Sequence, residues 1–288
     1  MNIKNETLKK VKFEYYKDRD SKRVAEMFGI SESTLTQYLQ APLRTKKYII
    51  LSDIHVPFHN KVLVNKVIEL CHRKRFDGLI LNGDFLDLYS IASFNDNSVA
   101  RLQGVTLGRE YEQGREVLDR FDEIDFNEKV FLFGNHEERF DRFIQKGDNA
   151  KLIGALGRPE EELELAKRGY KVITDYPDGF YKLGHSLEVI HGTYTNMHPS
   201  KKHLQEFKTS VIFGHTHRMD CYFDGQFGAW NIGGLYDKHS EGFKYVNRAV
   251  RRKWVNGFAI VNIDELGNHY VEMINCYNNN FYAEGLYL

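Results

Sequence analysis

Five short stretches of the 288-residue chain each set metal-competent side chains just past an apolar run. SDIH offers Asp53 and His55, NGDFLD offers Asp84 and Asp87, FGNHE offers Asn135 and His136, VIHG offers His191, and FGHTH offers His215 and His217. Carboxylate oxygens, an amide oxygen and imidazole nitrogens without any thiolate suit divalent Mn, Fe or Zn and disfavour Cu(I) or an iron-sulfur cluster. Alternate residues of an extended segment lie on one side, so Asp53 with His55, and His215 with His217, can each clamp one ion. The donors outnumber those that one tetrahedral ion takes, whereas two ions sharing a carboxylate use them all. Two ions about 3.5–4 Å apart activate a bridging hydroxide and clamp the oxygens of an in-line phosphoryl displacement.

Those side chains converge only if the strands that carry them lie side by side. From Lys47 the chain alternates: KYIILSDIH reads as a buried strand, KVLVNKVIELCHRKR as an amphipathic helix and DGLILNGDFLD as a second strand with its loop. A helix around REYEQGREVLDRFDEI and a third strand, KVFLFGNHE, follow. Strand-helix-strand alternation implies a mainly parallel sheet, whose ligands gather beyond the carboxyl ends of the strands. Residues 139–171 are charged and helical in pattern, interrupted by Gly147, Gly154 and Gly157, and read as a helical cap insertion. After Tyr176 come short strands, GFYKLG, SLEVIHG, TSVIFGHTH, CYFDGQFGAWNIGG, NGFAIVNID and HYVEMINCYN, which predict a second, more antiparallel sheet. Two sheets packed face to face with flanking helices make a four-layer α/β/β/α sandwich over residues 46–288.

The first 45 residues read as a small all-helical N-terminal domain. Asp20 or Ser21 can cap a helix through SKRVAEMFG, Gly29 ends it, and Ser31 caps a second helix through Leu39. Two short helices around a glycine turn have the form of a helix-turn-helix. APLRTKK, broken by Pro42, reads as the linker. The first 50 residues hold 11 Lys and Arg against 6 Asp and Glu, while the whole chain is neutral, so a basic head precedes an acidic body. That asymmetry suits an anionic partner for the head.

With 42% hydrophobic and 28% charged residues the composition is that of a soluble globular protein. No apolar run approaches the roughly 20 residues of a membrane span, and MNIKNETLKKVKFEYY lacks the apolar core of a signal peptide, so the expectation is a cytoplasmic protein with no membrane partner. Cys71, Cys221 and Cys276 are odd in number and form no CxxC pair, which implies no disulfide partner and casts them as small hydrophobes.

The ordered set D-x-H, G-D-x-x-D, G-N-H-E, H-G and G-H-x-H resembles the calcineurin-like metallophosphoesterase superfamily from Lys46 to about Asn275. The resemblance implies that Asp53, His55 and His217 hold one ion, that Asp84 bridges, and that Asn135, His191 and His215 hold the second. It casts His136 as the catalytic non-ligand that stabilises charge on the phosphate and protonates the leaving oxygen. Glu137 then orients His136, and Asp87 accepts a hydrogen bond behind the ligands. Two divalent ions are the implied cofactors, Mn first, with Fe, Zn or Mg as the others.

One departure bears on substrate. Protein phosphatases of this superfamily follow G-D-x-x-D with Arg-Gly, and that Arg grips a phosphomonoester; here Leu88 and Tyr89 follow Asp87. SKRVAEMFGISESTLTQYL resembles the helix-turn-helix segments of resolvase-like and homeodomain-like DNA-binding domains, which would place Ser31, Ser33, Thr34, Thr36 and Gln37 toward a major groove. Lys201 and Lys202, and the basic run Arg248, Arg251, Arg252 and Lys253 beside Trp254, are candidates for a nucleic-acid strand through phosphate pairing and stacking. These features lean toward a phosphodiesterase or nuclease acting on nucleic acid. A phosphomonoesterase or protein phosphatase is the alternative, and a DNA-binding regulator on an inactive scaffold is a second.

Overall fold

A computed structural model describes residues 5–41, 44–95, 104–152 and 155–288; Pro42 of the expected linker and Gly154 of the expected cap lie outside the described residues. The chain opens with three helices, α1 (Asn5–Asp18), α2 (Ser21–Phe28) and α3 (Glu32–Gln40). Asp20 caps α2 by accepting from Arg23 N, Gly29 ends it at φ 61, and Ser31 caps α3 by accepting from Thr34 N. Val11, Val24, Ala25, Leu35 and Tyr38 form the small core of these helices, with Phe28, Ile30 and Leu39 partly buried against it.

Next come β1 (Thr45–Leu51), α4 (Lys61–Arg73), β2 (Gly78–Asn82), α5 (Leu107–Asp122), β3 (Glu128–Leu132), two short helices α6 (Arg139–Ile144) and α7 (Pro159–Glu162), and β4 (Tyr170–Ile173). Strands β1 to β4 pair in parallel, in sequence order. The segment read as a cap is thus made of short helical pieces, and its last two residues open β4. The rest holds β5 (Phe180–Leu183), β6 (Leu187–Ile190), α8 (Pro199–Phe207), β7 (Ser210–Phe213), β8 (Met219–Asp224), β9 (Phe227–Ile232), α9 (Arg248–Arg251), β10 (Asn256–Asp264) and β11 (His269–Cys276).

The second sheet runs β5-β6-β7-β9-β8 and is evenly mixed: β5/β6 and β8/β9 are antiparallel, β6/β7 and β7/β9 parallel. Strands β10 and β11 do not join it. They pair antiparallel on the open edge of β1, which makes the first sheet six-stranded in the order β11-β10-β1-β2-β3-β4. The physical reason lies in β10, where Gly257 to Val261 are buried on consecutive positions, the mark of a strand covered on both faces.

Period-two alternation then assigns the layers. Tyr48 and Ile50 of β1 face Val189, Ile212 and Ile232 of the second sheet, while Ile49 and Leu51 face the helices α4 and α5. The outer face of the second sheet is covered by α8 through Leu204, Val211 and Phe213. The result is the expected four-layer α/β/β/α sandwich. Cys71 and Cys276 are buried as read, but Cys221 is exposed on β8, the edge strand of the second sheet. Among the described residues no helix is long and apolar enough to cross a membrane.

Candidate metal centre

The loops after β1, β2, β3, β6 and β7 meet at one end of the sandwich. Asn82, the last residue of β2, ties the two sheets there: its Nδ2 donates to the Ile190 carbonyl at 2.7 Å, and its own carbonyl accepts from His191 Nδ1 at 2.9 Å. Asp53, His55, Asp84 and His217 form one group with donor atoms within 4.8 Å of one another, and Asp84, His191 and His215 form a second. Asp84 belongs to both, as a bridging carboxylate must. Asn135 completes the second group, its Oδ1 standing 2.7 Å from His215 Nδ1 and 3.2 Å from His191 Nε2.

Five of these residues sit in the left-handed backbone region: Asp53 (φ 51), His55 (φ 56), Asp84 (φ 51), His215 (φ 64) and His217 (φ 57). A side chain there costs on the order of 1–3 kcal/mol and persists where the surroundings over-determine it. The chain also clears space for them. A Cβ on Gly134 would stand 2.6 Å from Asp84 N and 2.8 Å from His191 Nε2, so only glycine lets β3 end this close to the carboxylate.

The donor set fits divalent ions. Asp53 Oδ2 is held by Ser52 Oγ at 2.6 Å and by His215 N at 2.9 Å, which leaves Oδ1 buried and without a hydrogen bond. That oxygen lies 3.1 Å from His217 Nε2, which in turn lies 2.9 Å from His55 Nε2. Donors at right angles on an ion with bonds of about 2.1 Å stand about 3 Å apart, so these spacings match a shared ion. Two of the imidazoles are aimed from behind: His55 Nδ1 donates to Asp87 Oδ2 at 3.0 Å, and His191 Nδ1 to the Asn82 carbonyl, which turns both Nε2 atoms inward. Burial opposes charge on His55, yet Asp53 and Asp87 carry its pKa up to about 10. Burial likewise opposes charge on His191, yet Asp84 carries it up to about 9. The other histidine of each half moves the opposite way: burial lowers His217, and burial and then His191 take His215 down to about 4.

Two expectations need correction. Glu137 does not orient His136; its Oε2 accepts from Asp84 N at 2.9 Å and Gly134 N at 2.8 Å, and its Oε1 from Leu86 N at 2.9 Å. It thus clamps the β2 loop to the β3 loop. His136 is oriented instead by Asp87, whose carbonyl accepts from His136 Nδ1 at 2.8 Å. Because a carbonyl only accepts, Nδ1 carries the proton, and His136 Nε2 then accepts from Arg139 Nη2 at 2.9 Å. Burial, and then Arg139, press the His136 pKa down to about 3. As arranged here the ring offers no proton from Nε2, and the donor at that position is Arg139.

A cavity of about 390 Å³ opens over the cluster, with Asp84, Asn135, His136, Arg139, His215 and His217 in its wall. Of the basic candidates, Lys253 reaches it. Arg248 and Arg252 are exposed on the surface, and Arg251 donates to the Lys238 carbonyl at 3.1 Å. Lys201 and Lys202 lie on α8, over the rings of Tyr222 and Tyr194, away from the cavity wall. Trp254 also lines the cavity, but it is only 8% exposed and packs edge-on to His217, which stacks on Tyr236, so most of its ring supports His217. Arg139 and this aromatic support escaped the sequence reading; an Arg three residues after His136, one helical turn on, was the available signal for the former.

No family model matches the chain. The gene 54 protein of Mycobacterium phage D29 is 25% identical over 241 residues, which cover 78% of this chain and 91% of that one. Among solved structures, a Vps29 single mutant from Entamoeba histolytica matches 84% of this chain and 99% of its own at 12% identity and a TM-score of 0.44. The nuclease MPE of Pseudomonas putida matches 78% and 87% at 14% identity and a TM-score of 0.35. At such scores the fold rests on this chain's own sheets and layers.

Proposed function

We propose that the chain is a metal-dependent phosphoesterase of the calcineurin-like metallophosphoesterase type, with two divalent ions, Mn first, and a phosphodiester of nucleic acid as its substrate. The observation that carries this reading is the meeting of four strand ends in two abutting donor groups that share Asp84, with Asn135 from a fifth against His191 and His215. Bound there, two ions would supply an activated water and neutralise charge on the phosphoryl oxygens. Asp53, His55 and His217 would hold one, Asn135, His191 and His215 the other, with Asp84 common to both. His136 and Arg139 would meet the substrate, Asp87 would fix His55 and His136, and the aromatic wall of Tyr236, Phe243 and Trp254 would keep water from the back of His217. The inactive-scaffold reading is disfavoured because all seven ligand types stand in place.

The test is a panel run with Mn²⁺: bis-p-nitrophenyl phosphate, p-nitrophenyl phosphate, cyclic nucleotides, single- and double-stranded DNA, and RNA. Hydrolysis of the chromogenic diester and of a nucleic acid, both abolished by chelator, is the expected result. No turnover of any ester with two ions bound per chain would sink the proposal.

The N-terminal helices act in this reading as a DNA-targeting module. On α3, Ser33, Thr36 and Gln37 are exposed. Arg23 is committed to Asp18 at 2.8 Å and to Glu14 at 3.7 Å, whereas Lys22 and Arg44 are exposed, as are Lys9, Lys10, Lys17, Arg19 and Lys46. Deleting residues 1–44 should leave turnover of bis-p-nitrophenyl phosphate nearly unchanged while weakening DNA binding, and the lost affinity should be the salt-dependent part. Unchanged DNA affinity after the deletion would make the three helices a packing appendage.

A further inference from the structure

Arg139 opens α6 with a side chain only 15% exposed, and it stands in the wall of the cavity over the donor cluster. Its Nη1 donates to the Asp87 carbonyl at 2.7 Å and lies 3.3 Å from Asp87 Oδ1. Its guanidinium carbon lies 5.8 Å from the centre of the Phe94 ring. Those contacts fix the group. The other arm, Nη2, rests on His136 Nε2, an uncharged acceptor, and the guanidinium also bonds the Tyr245 side chain. An anionic phosphoryl oxygen in the same cavity is a stronger acceptor, because a bond between two ions exceeds one between an ion and a neutral group.

The other cations in that wall are less suited. Arg218 spends Nη2 on the Thr195 and Asn196 carbonyls at 2.8 and 2.7 Å, and Lys253 is exposed. Leu88, at the position where protein phosphatases carry their gripping Arg, supplies no charge, and Arg139 reaches the same carboxylate loop from the β3 side. We propose that Arg139 is the phosphoryl-gripping cation of this centre and that it confers turnover of phosphomonoesters alongside diesters. The inference rests on the phosphoesterase reading above. A monoester carries one more unesterified oxygen and up to one more negative charge than a diester, so a cation beside the ions is worth more to the monoester.

The experiment compares the Mn²⁺-loaded wild type with Arg139→Gln and Arg139→Lys in three measurements: kcat/KM on p-nitrophenyl phosphate, kcat/KM on bis-p-nitrophenyl phosphate, and the Kd of inorganic phosphate by calorimetry. Arg139→Gln should lose about 10²-fold on the monoester, the scale of one preorganised donor, and only a few-fold on the diester. Phosphate should bind about tenfold or more weakly, metal stoichiometry should stay at the wild-type value, and Arg139→Lys should recover part of the phosphate affinity because it keeps the charge without the fork. Equal losses on both esters, or phosphate affinity unchanged in Arg139→Gln, would overturn the assignment and leave Arg139 a support for Asp87. Should the wild type hydrolyse neither ester, phosphate affinity still decides: an Arg139-dependent Kd upholds the grip while the phosphoesterase reading alone fails.

Discussion

Asp84→Asn should lower kcat by about 10²–10³-fold or more, with the circular dichroism spectrum unchanged and the bound metal falling below two ions per chain. The residue is common to both donor groups: its Oδ2 lies 3.8 Å from His55 Nε2, and its Oδ1 lies 3.3 Å from His191 Nε2. Its Oδ1 also accepts from His136 N at 2.9 Å, a bond the asparagine oxygen can keep, so the substitution removes charge while sparing the backbone contact. Burial raises the cost of the carboxylate, yet His136, His191 and His55 hold its pKa well below the usual range. Wild-type turnover with two ions retained would remove Asp84 from the centre.

Glu137→Ala should act on the fold as much as on the chemistry. One buried carboxylate satisfies the backbone N–H groups of Asp84, Leu86 and Gly134, and alanine would strand all three. An unpaired buried donor costs about 1–3 kcal/mol, so thermal unfolding should begin about 10 °C lower or more. Because the same bonds dock the β2 loop on the β3 loop, metal affinity should fall with stability. Glu137→Gln is a poor rescue, since its amide nitrogen would face an N–H donor in place of one carboxylate oxygen. A Glu137→Ala protein that melts as the wild type does and still holds two ions would show that the clamp is dispensable.

The local elements were legible because each carries its own signal. Capping by Asp20 and Ser31, and the continuous apolar runs of β1, β2 and β3, follow from residues close in sequence. The convergence of Asp53, Asp84, Asn135, His191 and His215 was legible for the same reason, since each ligand follows its own strand. What escaped were choices among distant partners. Consecutive strands are neighbours often enough that β10 reads naturally as part of the second sheet, and nothing near Asn256 encodes the open edge of β1 on which it pairs. The direction in which Glu137 points, the proton on His136 Nδ1 and the burial of Trp254 depend on groups tens of residues away, and adjacency in sequence misassigned Glu137 to its neighbour His136.

The five left-handed positions of the donor cluster also bear on how such a chain tolerates mutation. Glycine takes that backbone region freely, at an entropic cost of about 0.5–1 kcal/mol, against the roughly 1–3 kcal/mol of strain that a side chain carries there. At Asp53, His55, Asp84, His215 and His217 glycine would relieve that strain, yet it would also strand His136 N at Asp84 and His215 N at Asp53, each at about 1–3 kcal/mol, so these turns stay strained because their side chains are bonded in place.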